Sequence, residues 1–189
     1  MHKYSQKLRT MRHYDQIAKG YNKQYYVEQE TKIKVALMEL TRKKEEIILD
    51  VGCGTGLLFP HLATKIKLVI GVDVSSSIIH QAKKRAKEFE NTALVIGDGD
   101  HLPFPNETFD AVLAITLLQN MSKPNQTLNE IKRVNKQTSR IVISGLKKTF
   151  SQKKFKQLLK KADLKIIVFI SDEKLKDYIA VCTKTQRKP

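Results

Sequence analysis

Leu49-Asp50-Val51-Gly52-Cys53-Gly54-Thr55-Gly56 is the stretch that decides the fold. With Ile47 and Ile48 in front of it, a short apolar run ends in glycines at every second position. The run has the composition of a buried strand. The glycines permit positive φ and let a ligand approach the backbone with no Cβ in the way. Residues 56–64 read as a short helix, whose free N–H groups favour anionic groups nearby. A packing turn would also use glycine, but three of them at one strand–helix junction favour a ligand loop.

Outward from this junction, strands and helices alternate. Toward the N-terminus, residues 4–40 read as helical, with Tyr14, Ile17, Ala18 and Tyr21 on one face. Toward the C-terminus, 68–73 is a second buried strand closed by Asp73, and Ser75-Ser76-Ser77 offers N-caps for a helix carrying Ile78, Ile79, Ala82, Ala86 and Phe89. Strands follow at 93–98, 111–115 and 141–144, with a helix opened by Pro124 between the last two. The helix 151–162 buries Phe155, Leu158, Leu159 and Ala162 and turns Lys153, Lys154, Lys156, Lys160 and Lys161 outward. Strands at 165–170 and 178–183, joined by a short connection, pair antiparallel. The pattern predicts a doubly wound α/β fold, with a mostly parallel seven-stranded sheet and an antiparallel last strand.

The chain of 189 residues can bury a real core, and nothing in it looks like a linker or a repeat. Its apolar runs are too short for a bilayer, and its first residues lack the apolar stretch of a secretory signal. Cys53 and Cys182 make neither a disulfide framework nor a metal-ligand pattern, so a reducing cytoplasm is the expected setting and no metal is expected. The formal net charge of +16 marks a basic protein. Such a field attracts polyanions. Two readings stay open: a nucleic-acid partner, or a lysine-rich background composition.

The glycine pattern is G-x-G-x-G, with Leu57 where a dinucleotide fingerprint has its third glycine. Asp50, Asp73 and Asp98 stand at the ends of consecutive strands, converging on the crevice where open α/β sheets bind ligands. The spacing of Asp50 to the glycines resembles motif I of class I S-adenosylmethionine-dependent methyltransferases. The stretch 97–105, Gly-Asp-Gly-Asp-His-Leu-Pro-Phe-Pro, resembles the same family's G-D-A-E-x-L-P-F-x segment, and Thr108-Phe109-Asp110-Ala111 resembles the start of its fourth strand. Tyr14-Asp15-Gln16-Ile17-Ala18-Lys19-Gly20-Tyr21 resembles its Y-D-x-I-A-x-x-Y helix. The likeness covers about residues 14 to 183 and extends to a broad group that includes quinone-biosynthesis and tRNA-wobble methyltransferases.

The resemblance implies a Rossmann-like fold and S-adenosyl-L-methionine as cofactor. It places Asp50 toward the methionine end, Asp73 and Val74 at the ribose, Asp98 and Gly99 at the adenine, and Gly52, Cys53, Gly54, Thr55, Gly56 and Ile115 around them. Tyr14 and Tyr21 would roof the pocket, and Gln29 would reach toward it. Residues 1–45 are then a helical lid, 46–183 the core and 184–189 a basic tail of one domain. Two departures stand out. The family's aromatic-x-x-His-His is Leu117-Leu118-Gln119-Asn120 here, leaving Gln119 and Asn120 as the only catalytic candidates; and Pro-Gly-Gly before the fifth strand is Gln137-Thr138-Ser139, an altered turn. His61 and His101 lack an orienting neighbour and make poor general bases. In-line transfer to a ring nitrogen needs no strong base.

Three functions remain: methylation of rRNA or tRNA, favoured by the lysine face together with Lys147, Lys148, Lys3, Lys7, Arg9, Arg12 and Lys19; methylation of a small quinone-type molecule; and a methyltransferase-like binding protein without turnover. Little chain follows the fifth strand to build a closed substrate pocket, which points to RNA and to a small zinc-binding activator subunit of the kind some related enzymes use.

Overall fold

The computed structural model describes residues 2–18, 20–40 and 42–185, with the side chains of 2–7 and 21–24 outside that description. Lys19, the side chains of Lys3, Lys7 and Tyr21, and residues 186–189 of the expected basic tail therefore lie outside that description. The chain runs α1 (His2–Ile17), α2 (Tyr21–Met38), β1 (Ile47–Val51), α3 (Phe59–Leu62), β2 (Leu68–Asp73), α4 (Ser76–Ala86), β3 (Thr92–Ile96), β4 (Phe109–Ala114), α5 (Pro124–Val134), β5 (Asn135–Leu146), α6 (Gln152–Lys161), β6 (Leu164–Ile170) and β7 (Asp177–Lys184).

The seven strands lie in the order β3-β2-β1-β4-β5-β7-β6. β7 slots between β5 and β6 and runs antiparallel to both, while the pairings among β1 to β5 are parallel. This is the predicted doubly wound sheet. Strand order reverses between β1 and β4, so the loops leaving those strands splay apart and open a crevice at their carboxyl ends. Both faces are covered, and the two-residue period of each strand feeds alternate sides. Ile48 and Leu113 pack in one buried cluster with Phe59, Leu62, Ile33 and Leu37. Leu49 and Val112 pack in the other with Phe109, Leu128, Ile131, Phe155 and Leu159.

Local chemistry explains the helix ends. The Ser75 side chain accepts from the Ile78 N–H at the start of α4, and Ser151 accepts from the Lys154 N–H at the start of α6. Pro124 opens α5, where a missing N–H costs nothing. On α6, Phe155 and Leu159 are buried and Leu158 only half-buried, while Lys153, Lys154, Lys160 and Lys161 face solvent.

Three elements differ from the sequence expectation. The helix over 4–40 is two helices, separated at Gly20, whose N–H closes the first on Ile17 O at 2.9 Å. The helix over 56–64 shrinks to the four residues of α3, because Gly56 is in the left-handed region (φ 76) and still belongs to the loop. β5 starts at Asn135, not at 141, so Gln137-Thr138-Ser139 are strand residues. Asn135 pairs with Phe109 and Arg140 with Ala111, and the register shift between these pairs makes the polar stretch bulge out of the ladder with β4. Among the described residues no helix is long and apolar enough to cross a membrane.

Candidate active site

The loop after β1 is built by backbone pairing. Gly52 and Cys53 both donate to Val72 O, at 2.7 and 3.0 Å, tying the loop to the end of β2. Two of its glycines do different work. A Cβ on Gly56 would sit 2.4 Å from the Phe59 ring, so Gly56 is required by packing. A Cβ on Gly54 (φ 54) would meet nothing within 4 Å. It would project into open space, which is the shape of a cradle for a ligand.

Around that space stand the three strand-end carboxylates. Asp50 is 4% exposed. Burial first, and the charge of Asp73 second, push its carboxyl up to about 7. Asp73 accepts from Gly54 N and Ser75 N, each at 3.0 Å. Burial raises its carboxyl too, and those backbone donors partly oppose the rise. Asp98 accepts from Asp100 N at 2.9 Å. Buried Asp100 accepts in turn from Thr127 Oγ1, and Arg133 donates to the carbonyls of Leu102 and Phe104. Together they clamp residues 98–104 onto α5.

A cavity joins these parts. Asp50, Gly52, Cys53, Gly54, Thr55, Asp73, Val74, Asp98, Gly99, Ile115, Asn120 and Tyr14 all line it. Of the sequence candidates, Gly56 does not line it, and Gln119 lines a different space. Cys53 is buried, and desolvation pushes its thiol up, which argues against a nucleophile. The roof is set by α1. Asn120 Nδ2 donates to Tyr14 Oη at 2.9 Å and to Thr116 O at 3.1 Å. One residue along, Asp15 accepts from Ser75 Oγ at 2.5 Å, fastening α1 to the start of α4 and holding the Asp15 carboxyl below its usual value. The sequence pattern singled out the tyrosines; the aspartate between them anchors the helix.

A second cavity of about 620 Å³ opens beside the first and shares Tyr14, Gln29, Thr116 and Asn120 with it. Gln119, Tyr25, His13, Glu28, Lys147, Lys148 and Lys176 line the rest, together with Lys32. Sequence reasoning missed the residues that shape its wall. Thr116 is non-glycine with φ 60, a conformation that costs about 1–3 kcal/mol unless its surroundings impose it. Lys32 Nζ donates to Thr116 Oγ1 at 2.8 Å and pairs with Asp177 at 2.6 Å. One signal for it existed: Lys32 sits on the helix stripe of Gln29, Ile33, Ala36, Leu37 and Leu40, where a lysine does not belong without a partner.

His61 and His101, the two histidines weighed as bases, line neither cavity. His61 does have an orienting partner, Glu30 at 2.8 Å, and His101 lies 3.1 Å from the Gln126 amide. Among the described residues no three His, Cys, Asp or Glu side chains gather as a metal site.

A sheet in this strand order, with acidic strand tips around a glycine loop, is the architecture of class I methyltransferases. The chain belongs to that family: its residues 49–143 match the profile described as "Methyltransferase domain". It is 38% identical over 98 residues to a demethylmenaquinone methyltransferase of Tropheryma whipplei, covering 52% of this chain and 41% of that protein. A demethylmenaquinone methyltransferase of Thermotoga maritima is 32% identical over 151 residues, covering 74% of this chain and 62% of that protein. The chain thus spans between 41% and 62% of the length of these relatives. In fold it matches, with TM-score 0.80 and 18% identity over 92% of this chain and 98% of the other, a chain from the complex between the Haloferax volcanii Trm112 methyltransferase activator and a methyltransferase.

Proposed function

We propose that this chain binds S-adenosyl-L-methionine in the first cavity and directs its methyl group to a nitrogen of an RNA base (rRNA or tRNA) entering through the second. The residues present fit the cofactor. Asp50 is a buried carboxylate whose neighbour is another carboxylate, an arrangement relieved by a cationic ammonium. The space beside Gly54 is open for the ligand's approach. Asp73 keeps lone pairs for ribose hydroxyls beyond its two backbone donors, and Asp98 with Gly99 lines the same cavity and would take the purine.

When bound, the cofactor supplies a methyl already activated by its sulfonium, so the chain's work is alignment and exclusion of water. Tyr14, tied to Asn120, closes the roof, and residues 1–45 act as a lid on the core of a single domain. Asn120 stands where the two cavities meet and Gln119 lines the second, and together they orient the acceptor. The observation that carries the RNA reading is the charge of the second cavity's mouth. Lys147, Lys148 and Lys176 stand there with Glu28, and α6 begins a few residues further on with its exposed lysines. Phosphate contacts of this kind add affinity without reading sequence. A small activator subunit is a further partner under this reading, supported by the complex in which the Haloferax fold relative was solved. Two free, buried cysteines suit a reducing cytoplasm.

A second reading, a small quinone-type acceptor, is favoured by the names of the Tropheryma and Thermotoga relatives. Tritiated S-adenosylmethionine incubated with the protein and total RNA separates the two. Label in RNA that falls steeply with salt and disappears in Asp50→Asn supports RNA. Salt-insensitive labelling of a phenol or quinone, with none in RNA, overturns it.

A further inference from the structure

The wall between the two cavities is held by a chain of polar contacts that reaches far from the cofactor loop. Asp177, at the start of β7, is fully buried and accepts from Ser144 Oγ on β5 at 3.3 Å. Ser144 Oγ in turn accepts from the Thr116 backbone N–H at 2.8 Å. Lys32, on α2 and 1% exposed, bridges Asp177 at 2.6 Å and Thr116 Oγ1 at 2.8 Å. Because the ammonium occupies one side of that hydroxyl as donor, the Thr116 O–H points the other way and donates to Gln29 Oε1 at 3.0 Å. Thr116 O then accepts from Asn120, which holds Tyr14. Thr116 is thus gripped at its N–H, its hydroxyl and its carbonyl, in the left-handed conformation with φ 60.

We infer that the buried Lys32–Asp177 pair is a positioning device for methyl transfer: it holds Thr116 in its strained turn, and through Thr116 sets Gln29 and Asn120 at the junction where donor and acceptor meet. Neither charge lines the cofactor cavity, so the pair acts on the acceptor side and on alignment. The inference rests on the transferase reading above for its functional half. Its structural half stands on the geometry alone. Alternatives for a buried ion pair are weaker here. As a general stabiliser it would need no link to a strained residue, and apolar side chains of similar size would serve as well.

That last point supplies the test. Either single substitution leaves an unpaired buried charge and risks unfolding. The double variant Lys32→Met/Asp177→Leu replaces the pair by apolar groups. Three readouts are compared with the unaltered chain: S-adenosylhomocysteine affinity by calorimetry, the rate of tritium transfer from S-adenosylmethionine into total RNA, and the crystal structure of the variant. The expected result is product affinity within about twofold, since the glycine loop and Asp50 are untouched, with transfer slowed at least tenfold because alignment is lost. The crystal structure is expected to show Thr116 at negative φ, with Gln29 released. A merely structural pair would leave the transfer rate unchanged, and that outcome overturns the inference. So does a structure in which Thr116 keeps its positive φ and its contact to Gln29. If the unaltered chain labels no RNA, the RNA reading fails by itself, and the conformation of Thr116 in the variant still decides the positioning claim.

Discussion

Asp50 and Asp177 are both buried carboxylates, 4% and 0% exposed, and their surroundings are opposite. Asp177 has Lys32 at 2.6 Å and Ser144 beyond it, a charge the fold has neutralised for itself. Asp50 has Asp73 as its charged neighbour, and its carboxyl is pushed up to about 7. The comparison separates the two halves of the proposed site, cofactor side and acceptor side. On the acceptor side the protein completes its own electrostatics and gains a rigid wall. On the cofactor side it leaves an unbalanced carboxylate, a cost in the free protein that a cationic ligand removes.

The largest effect expected from breaking the contrast is at Lys32. Lys32→Met strands Asp177 without a cation in a dry interior, a change that costs about 3–5 kcal/mol. Urea unfolding is expected to show that loss, and the double variant with Asp177→Leu to recover most of it. A single variant as stable as the unaltered chain would mean that the pair is not desolvated as the structure has it. The matching change on the other side has the opposite sign for stability. Asp50→Asn removes a charge whose charged neighbour is another carboxylate, so the variant is expected to melt higher at pH 8 while binding S-adenosylhomocysteine more weakly by about 2–5 kcal/mol, the usual loss when one member of a buried charged contact is removed. Unchanged affinity would place the ligand's ammonium elsewhere.

The pH dependence sharpens the same point. The Asp50 carboxyl titrates near 7 in the folded protein against 3.8 in an open chain. The folded state therefore holds a proton that the unfolded state has lost, and stability falls as pH rises between those two values. Binding of a cation reverses the preference and requires the ionised form. Product affinity is then expected to weaken about tenfold for each pH unit below 7, with one proton released on binding. Calorimetry in buffers of different ionisation enthalpy reads that proton directly, and Asp50→Asn flattens the profile. A flat profile in the unaltered chain would assign the titration to another group.

The two sides also differ in how much of them the sequence could disclose. The cofactor side is local: an acid and three glycines within seven residues, and two more acids at strand ends, each readable where it stands. The acceptor side is assembled from contacts spanning long stretches of chain. Lys32 and Thr116 are 84 positions apart, Thr116 and Ser144 are 28, and Ser144 and Asp177 are 33. No periodicity reports such a ring of four, and only a lysine on an apolar stripe hinted at it. The errors in the fold have the same origin. Gln137-Thr138-Ser139 read as a turn because they stand where the family has Pro-Gly-Gly, while in the fold they are a bulge inside a strand that already pairs with β4 at Asn135. The break at Gly20 is one glycine in an otherwise helical pattern, and Asp15 reveals its purpose only when Ser75 is beside it.

That contact gives the smallest of the expected effects. Asp15 lies near the surface, so its bond to Ser75 Oγ is screened, and Asp15→Ala is expected to cost no more than about 1 kcal/mol of global stability. Its consequence is local. The folded-state carboxyl is held below its usual value by the Ser75 hydroxyl first, so the contact contributes above the ordinary carboxylate range and is lost as pH falls through the lowered value. Losing it frees α1 from α4 while leaving the glycine loop and Asp50 intact. Hydrogen exchange is therefore expected to rise across α1 with little change in β1, and product release to quicken with the association rate held. If α1 stays as protected in Asp15→Ala as before, Tyr14 and Asn120 alone hold the roof, and the lid is fastened from the acceptor side.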